Sequence, residues 1–137
     1  MSSGVFFSRE FLNSKAYSEL NGSTIRVLNQ FYMKRQVKKR KGISGRRDSW
    51  DIINNGEIVF TRSEAKKKGF PESTFKKAVD KLINVGIIDL SHQGSGLMGD
   101  FSKYSISKRW ELYGTDSFID KKRPKQFRSI SQLSGNK

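Results

Sequence analysis

The side chains best suited to chemistry in this chain are ammonium and hydroxyl groups that recur over one short stretch. In chain order they are Ser73, Thr74, Lys76, Lys77 and Lys81. Groups of these two kinds donate hydrogen bonds to the edges of nucleic-acid bases and to phosphate oxygens. Simple solvation is the alternative for any single lysine, and local capping is the alternative for Thr74. Because the set shares one stretch and its charges share one sign, we interpret it as a contact for a polyanion.

A second basic tract lies upstream and contains eight cations before its first acid, Asp48. They are Lys34, Arg35, Lys38, Lys39, Arg40, Lys41, Arg46 and Arg47. One or two cations at the end of a helix would interact favourably with the helix dipole. Eight exceed that need, so the tract is interpreted as an extension that grips phosphates. Gly42, Ser44 and Gly45 predict that its second half is flexible, and we expect a basic loop over residues 38–50.

Groups that could carry catalysis or bind a metal ion are scarce. The chain has one histidine, His92, and no cysteine, whereas a structural zinc site takes about four ligands of these types. Asp48 and Asp51 stand near the basic tract without a visible catalytic partner, which favours their interpretation as turn residues. The sequence therefore predicts no enzyme activity, no cofactor, no metal and no small-molecule substrate.

The overall charge is strongly positive. The chain of 137 residues has 27 Lys and Arg against 13 Asp and Glu, a net charge of +14, and its pI is near 10.2. Such a field attracts polyanions, of which nucleic acid and an anionic membrane surface are the two candidates. No apolar run approaches the roughly 20 residues of a membrane span, and residues 1–10 lack the pattern of a signal peptide. We expect a cytoplasmic, nucleoid-associated protein that does not bind a membrane.

The first half of the chain predicts two helices. Ser14 is a suitable cap for a short helix over residues 15–20. Ser23 is a suitable cap for a longer helix that runs over about residues 24–38. The apolar positions of the longer helix are Ile25, Leu28, Phe31 and Tyr32. Their spacing is typical of one face that packs on a core.

The next predicted elements are a turn, a strand and a short helix. The turn is at residues 54–56, and the strand covers residues 57–60. Thr61 and Glu64 have the spacing of a capping box, which predicts a helix over residues 62–68.

The clearest helical period follows Gly69 and Pro71, over residues 72–85. Its apolar positions are Phe75, Ala78, Val79, Leu82 and Ile83. They recur at the three- and four-residue spacing of an amphipathic helix, and the opposite face is polar and basic. Gly86 is a natural stop for the helix. We therefore expect a helix that buries one face and presents the other to solvent.

Two strands and a glycine-rich loop close the predicted domain. Residues 87–90 and 104–107 predict the strands, and a loop rich in glycine over residues 94–99 joins them as a long hairpin. Apolar residues downstream are expected to cap the core. They are Trp110, Leu112, Tyr113 and Phe118.

The order of the central elements is strand, short helix, tight turn, longer helix and hairpin, and two helices joined by such a turn form a helix-turn-helix. The run NNGEIVFTRSEAKKKGFPESTFKKAVDKLINVGIIDLSHQGSG resembles winged helix-turn-helix domains of phage and plasmid replication-organiser and regulator proteins. The matching residues are Thr61, Ser63, Ala65, Gly69, Ser73, Thr74, Phe75, Leu82, Gly86, Ile87 and Ile88. The later run YSISKRWELYGT resembles the segment that follows the wing in that family. The resemblance covers about residues 14–115 and fails at Pro71 and Glu72, where the family more often has a serine and a basic residue.

The resemblance implies an α+β fold of the winged helix-turn-helix type, with three to four helices, a small antiparallel sheet and a hairpin wing. It places this domain at residues 14–118, after an N-terminal arm of residues 1–13. Residues 119–137 are expected to form a flexible basic tail. The implied function is binding of double-stranded DNA, with residues 72–84 as the recognition helix and a glycine-rich wing over about residues 91–103. The implied roles are transcription regulation or DNA replication of a mobile element, such as a phage or a plasmid.

The predicted DNA contacts fall into four groups. Residues in the N-terminal half of the second helix are expected at base edges, and Lys81, a turn further on, is expected at phosphate. Residues of the first helix are expected at the flanking backbone, those of the wing along the backbone or the minor groove, and those of the basic tract at phosphates. In chain order the predicted contacts are Lys38, Lys39, Arg46, Arg47, Arg62, Lys66, Ser73, Thr74, Lys76, Lys77, Lys81, Gln93, Ser95 and Lys103. Glu72, at the start of the second helix, would repel phosphate or accept a hydrogen bond from a cytosine amino group.

Two other functions remain open from the sequence. One is RNA binding, against which stands the lack of the paired aromatic residues of a base-stacking platform. The other is a protein-interaction module, or a homodimer, built on an apolar patch. The residues available for that patch are Phe6, Phe7, Phe11, Trp110 and Phe118.

Overall fold

The architecture combines helices with small antiparallel sheets, so the predicted α+β class is confirmed. The structure, a computed structural model, describes residues 5–47, 49–95, 97 and 99–122. In these residues the chain forms five α-helices, one 3-10 helix and two antiparallel sheets of two strands each. In chain order they are α1 (Arg9–Leu12), α2 (Lys15–Ser18), α3 (Gly22–Met33), β1 (Val37–Arg40), β2 (Ser49–Ile52), α4 (Arg62–Lys67), α5 (Glu72–Asn84), β3 (Ile88–His92), β4 (Lys103–Ile106) and the 3-10 helix (Arg109–Leu112). The tail predicted over residues 119–137 lies outside the described residues from position 123 onward.

Two short helices pack the N-terminal segment onto the core. Ser14 caps α2, because its hydroxyl accepts a hydrogen bond from the amide of Tyr17 at 3.1 Å, as predicted. Phe11 of α1 is 2% exposed and stacks on the ring of Tyr32. Helix α1, which belongs to the predicted N-terminal arm, is therefore packed, while residues 1–4 lie outside the described residues.

Helix α3 differs from its prediction at both ends. It begins two residues early because Asn21, rather than Ser23, accepts the amide of Thr24, at 2.8 Å. It ends at Met33, so the prediction of a helix that continues to Lys38 is wrong. Both Asn and Ser are good N-caps, so the sequence offered two starting points for this helix.

The side chain of Asn54, some twenty residues further along the chain, binds the backbone where α3 ends. Its side-chain amide donates to the carbonyl of Lys34 at 3.0 Å, and its side-chain oxygen accepts from the amide of Gln36 at 2.8 Å. The backbone amide of Ile53 donates to the carbonyl of Gln36 at 2.8 Å. These hydrogen bonds satisfy the backbone groups that follow the helix. The chain can therefore leave α3 and enter β1.

A hairpin stands where the sequence predicts a flexible basic loop. Strands β1 and β2 pair antiparallel, with Val37 opposite Ile52 and Arg40 opposite Ser49. All four residues of β1 are exposed, and in the described part of the chain neither strand packs broadly on another element. We call residues 37–52 the basic hairpin.

Helices α4 and α5 follow their predicted pattern. The Thr61 hydroxyl caps α4 by accepting the amide of Glu64 at 3.1 Å, but the Glu64 carboxylate pairs with Lys34 instead of completing the predicted capping box. Helix α5 packs along α3. The buried residues of α5 are those of the predicted apolar face, namely Phe75, Ala78, Val79, Leu82 and Ile83. The rotation of α5 about its axis is therefore the one that the sequence predicts.

The second sheet consists of β3 and β4 joined by a long loop, as the sequence predicts. Ile88 lies opposite Ile106 in its register. Ile58 joins this sheet through a single bridge and exchanges two backbone hydrogen bonds with Tyr104, at 2.8 and 3.1 Å.

The strand predicted over residues 57–60 shrinks to that one bridge. Upstream of it, the side-chain amide of Asn55 exchanges two hydrogen bonds with the backbone of Ile106, at 2.7 and 3.2 Å. The predicted strand therefore joins the sheet through Ile58, and upstream of it the side chain of Asn55, instead of its backbone, pairs with the edge of β4.

Arg109 holds the end of α5 against the second sheet. Its side chain is 9% exposed and forms an ion pair with Asp89 at 2.6 Å. The guanidinium also donates to the carbonyl oxygens of Ile83, at 2.7 Å, and of Ile119, at 2.8 Å. A buried cation is stable only with such partners. Arg109 is therefore a structural residue, and no pattern in the sequence pointed to it.

The predicted apolar cap forms in part. Trp110 and Tyr113 pack against the core, and Phe118 meets Tyr113 edge to face, with ring centroids 5.1 Å apart. Leu112 is 48% exposed, so the prediction that it covers the core is wrong.

Replacing Gly86 with alanine is expected to destabilise the protein more than replacing Gly69. Both glycines have a positive φ, 87° and 93°, which costs an L-residue about 1–2 kcal/mol. A Cβ on Gly69 meets open space, whereas a Cβ on Gly86 meets the backbone nitrogen of Trp110 at 2.7 Å. Gly86→Ala should therefore lower the free energy of unfolding, measured by urea titration, by about 1–3 kcal/mol more than Gly69→Ala. Equal decreases would contradict the close packing of the end of α5 on the 3-10 helix.

Candidate nucleic-acid interface

The outer face of α5 carries the polar residues predicted to contact DNA. Ser73, Lys76 and Lys77 are exposed, and Thr74 is half-buried. The opposite face is closed to solvent, with Leu82 0% exposed. Because the buried apolar positions fix the rotation of the helix, the lysines of its N-terminal half lie on the solvent side.

An ion pair connects the start of α4 to the start of α5. Arg62 lies 3.0 Å from Glu72, and both side chains are well exposed. The pair compensates the negative charge of Glu72 at the start of α5. Because ion pairs between exposed side chains are weak, Arg62 can exchange this carboxylate for a phosphate.

Lys81 is engaged in the packing of the protein's own helices. Its Nζ lies 3.2 Å from a carboxylate oxygen of Glu19, which caps the C-terminus of α2. The same oxygen accepts a hydrogen bond from the Tyr113 hydroxyl at 2.8 Å. This hydrogen bond, with a smaller contribution from Lys81, lowers the pKa of the Glu19 carboxyl, so the carboxylate is charged at neutral pH. Lys81 therefore joins α5 to α2 across the polar edge of the helix pair.

Three consecutive lysines border the turn between α4 and α5. Lys66, Lys67 and Lys68 are all exposed, and the turn that follows leads directly to Ser73. Only Lys66 was predicted from the sequence, although the unbroken run of three was visible there. Cations at a helix C-terminus also favour the dipole, so these lysines both stabilise α4 and add charge beside the outer face of α5.

The loop that joins β3 to β4, residues 93–102, carries little net charge. Its acid, Asp100, pairs with His92 at 2.6 Å. Lys103, at the end of the loop, pairs with Glu57 at 2.9 Å. This loop therefore offers a phosphate backbone much less attraction than the helices do.

The two remaining predicted contacts in this region have different surroundings. Gln93 is half-buried, and its side-chain oxygen is enclosed without a hydrogen-bond partner among the described residues. Ser95 is exposed, but its amide donates to Asp100 at 2.9 Å. The three predicted contacts of this hairpin thus differ in their surroundings, because Ser95 is exposed, Gln93 is half-buried and Lys103 is paired with Glu57.

The basic hairpin exposes every one of its cations. They are Lys38, Lys39, Arg40, Lys41, Arg46 and Arg47. Arg40 pairs with Asp51 across the strands at 2.9 Å, while Asp48 lies outside the described residues. The predicted contacts of this tract are therefore held on a hairpin whose register is fixed.

Comparison with known proteins gives no relative for this chain. No family model, no curated protein and no solved structure matches it. The case for the interface therefore rests on exposure, charge and the arrangement of the helices.

Two other kinds of site are missing from the described residues. They contain no group of three or more histidine, cysteine, aspartate or glutamate side chains placed to hold a metal ion. None of the described helices has the length and apolar character that crossing a membrane requires. The longest of them, α5, has 13 residues.

Asp100 is expected to titrate near pH 2. Hydrogen bonds from Ser95, followed by the one with His92, lower the pKa of its carboxyl from 3.8 to about 2. Because the pKa is lower in the folded state than in the unfolded state, these contacts stabilise the loop fully at pH values above 3.8. Their contribution is lost as the pH falls towards 2. In an NMR titration the Asp100 carboxyl carbon and the Ser95 amide should change together at that midpoint. Asp100→Asn is the control that removes the amide transition, and a wild-type midpoint near 3.8 would mean that the contacts are absent in solution.

Proposed function

We propose that this protein is a winged helix-turn-helix protein that binds double-stranded DNA through the outer face of α5. The observation that carries the proposal is the burial of one face of α5 combined with the exposure of Ser73, Lys76 and Lys77 on the other. A helix placed in this way can insert its N-terminal half into the major groove and donate hydrogen bonds to base edges.

The order of the elements supports the winged helix assignment. A long helix, the basic hairpin, a short bridging segment, two helices around a tight turn and a second hairpin follow one another in the chain. The bridge between Ile58 and Tyr104 adds a third backbone segment to the sheet of the hairpin. In this assignment α4 and α5 form the helix-turn-helix, and the β3–β4 hairpin is the wing.

The dimensions of α5 suit the proposed ligand. A helix with its side chains is about 10–12 Å across, and the major groove of B-form DNA is about 12 Å wide. Lys66, Lys67 and Lys68 border the same turn and would meet the phosphates that flank the groove. Arg62 would join them after exchanging Glu72 for a phosphate.

The proposed biological role is that of a transcriptional regulator or a replication accessory factor of a mobile element, acting on nucleoid DNA. This part rests on the resemblance of residues 54–96 to phage and plasmid proteins. Both roles require binding alone, so the proposal includes no catalytic step and no cofactor.

Selection of duplexes from a random pool tests the proposal directly. The full chain should enrich a consensus sequence, and the enriched duplex should displace structured RNA of similar length from the protein. If no consensus emerges, or if the RNA displaces the duplex, sequence-specific binding of DNA is rejected. The stoichiometry of the complex would also show whether the site has one half or two.

Lys77→Ala is expected to weaken binding to the enriched duplex by about 1–3 kcal/mol, roughly 5- to 150-fold in Kd, because the substitution removes a hydrogen bond to a base edge. Binding to a scrambled duplex should change much less. Lys15→Ala is the matched control, since Lys15 is an exposed lysine on α2, and it should leave both affinities unaltered. Fluorescence anisotropy at a fixed salt concentration measures the Kd values. An equal weakening on the two duplexes would assign Lys77 to the backbone and contradict its role at a base edge.

A further inference from the structure

The basic hairpin has a charge that the stability of the fold does not explain. Residues 38–47 contain six cations, and the acids of the hairpin are Asp48 and Asp51. Cations held close together repel one another, and an isolated two-stranded hairpin is marginal on its own. A cluster of this kind therefore reduces the stability of the hairpin unless an anionic partner is bound.

Most of these cations are available to such a partner. Asp51 pairs with Arg40 across the strands, at 2.9 Å. Four further exposed cations of the hairpin form no ion pair with an acid of the described residues. They are Lys38, Lys41, Arg46 and Arg47. The Arg40–Asp51 pair is itself well exposed, so it competes weakly with phosphate.

The hairpin also lies outside the core of the protein. All four residues of β1 are exposed, including the apolar Val37, and Ile43 near its tip is 77% exposed. Within the described residues its strands contact each other and pack broadly on no other element. A ligand can therefore approach β1.

The root of the hairpin is nevertheless fixed beside the proposed interface. Asn54 holds the backbone of Lys34 and Gln36, and Lys34 forms an ion pair with Glu64 in the first turn of α4. Helix α4 is in turn connected to α5 through the Arg62 ion pair. The hairpin thus starts beside the helix that positions the recognition helix.

We propose that the basic hairpin is a second nucleic-acid-binding element that grips the sugar-phosphate backbone without regard to sequence. A two-stranded ribbon fits along a DNA groove, and successive strand residues point to opposite faces, so the cations of β1 reach phosphates on both sides. The β3–β4 loop, whose acid Asp100 pairs with His92 at the end of β3, contributes little to this grip. The inference rests on the proposed binding of DNA and divides the roles in that binding between two elements. Helix α5 selects the sequence, and the hairpin supplies affinity.

Charge-neutralised variants of the full chain test this division. The hairpin variant carries Lys38→Gln, Lys41→Gln, Arg46→Gln and Arg47→Gln. The control variant has the same number of charges removed from exposed residues elsewhere and carries Arg9→Gln, Lys15→Gln, Lys108→Gln and Lys122→Gln. A milder variant carries the Arg46 and Arg47 changes alone, so that the test can still be made if the fourfold variant unfolds. The thermal midpoint of unfolding is measured for each protein. The probes are the enriched duplex and a scrambled duplex, each titrated at several salt concentrations.

The hairpin variant should reduce the slope of log K against log salt by about 0.9 for each phosphate that the protein no longer neutralises, and so by up to about 3.6. The milder variant should show about half of that change. Both duplexes should bind more weakly by the same factor, so their ratio of Kd values stays constant. The control variant should retain a slope close to that of the wild-type protein.

The outcomes separate this inference from the proposed function. If the hairpin and control variants change the slope equally, the hairpin is no binding element, while recognition by α5 stands. If the hairpin variant lowers the slope but no consensus was enriched, the hairpin stands and sequence reading by α5 falls. If the wild-type protein binds neither duplex at low salt, both proposals are wrong.

Discussion

The burial of one face of α5 against α3 is the constraint on which the rest of the interface depends. Each large apolar side chain removed from water stabilises the fold by about 1.5–3 kcal/mol, and Phe75, Val79 and Leu82 are all buried. Because these residues recur with the helical period, a rotation of α5 would expose several of them at once. The core therefore determines which side chains of α5 face solvent, and Ser73 and Lys77 are among them.

A second level of organisation is the sorting of charges by ion pairs. The sequence presents many cations, but the fold engages some of them in its own contacts. Arg62 meets Glu72, Lys81 meets Glu19, and Lys103 meets Glu57. Within the described part of the chain, the exposed lysines that end α4 and most cations of the basic hairpin form no such pair with a distant acid. The net charge of the chain therefore does not show which cations can contact a ligand, because some are paired within the fold and others are not.

The elements that could be predicted from the sequence are those whose signals are local. The apolar period of α5, the cap at Thr61 and the glycine-rich hairpin loop all act within a few residues. The end of α3 could not be predicted in this way, because it depends on the side chain of Asn54 some twenty residues later. The same side chain sets the root of the basic hairpin. The run Lys38 to Lys41 has no apolar alternation, so nothing local indicates a strand.

The candidate site shows the same division between local and distant information. The exposed positions of α5 follow from its periodicity, and the structure places them on the solvent side. The surroundings of Gln93, the engagement of Lys81 by Glu19 and the anchoring role of Arg109 depend on residues distant in sequence. No pattern within a short stretch of the sequence could have predicted these surroundings and contacts.

The most direct test of the account is a map of the surface that a DNA duplex touches in solution. Backbone amide shifts of the full chain would be recorded by NMR while a duplex is added at low salt. Binding through the outer face of α5 predicts that the largest changes cluster at Ser73, Lys76 and Lys77 and at the lysines that end α4, while α1 and the 3-10 helix change little. Changes concentrated on α1 and the 3-10 helix, with α5 unaffected, would contradict it.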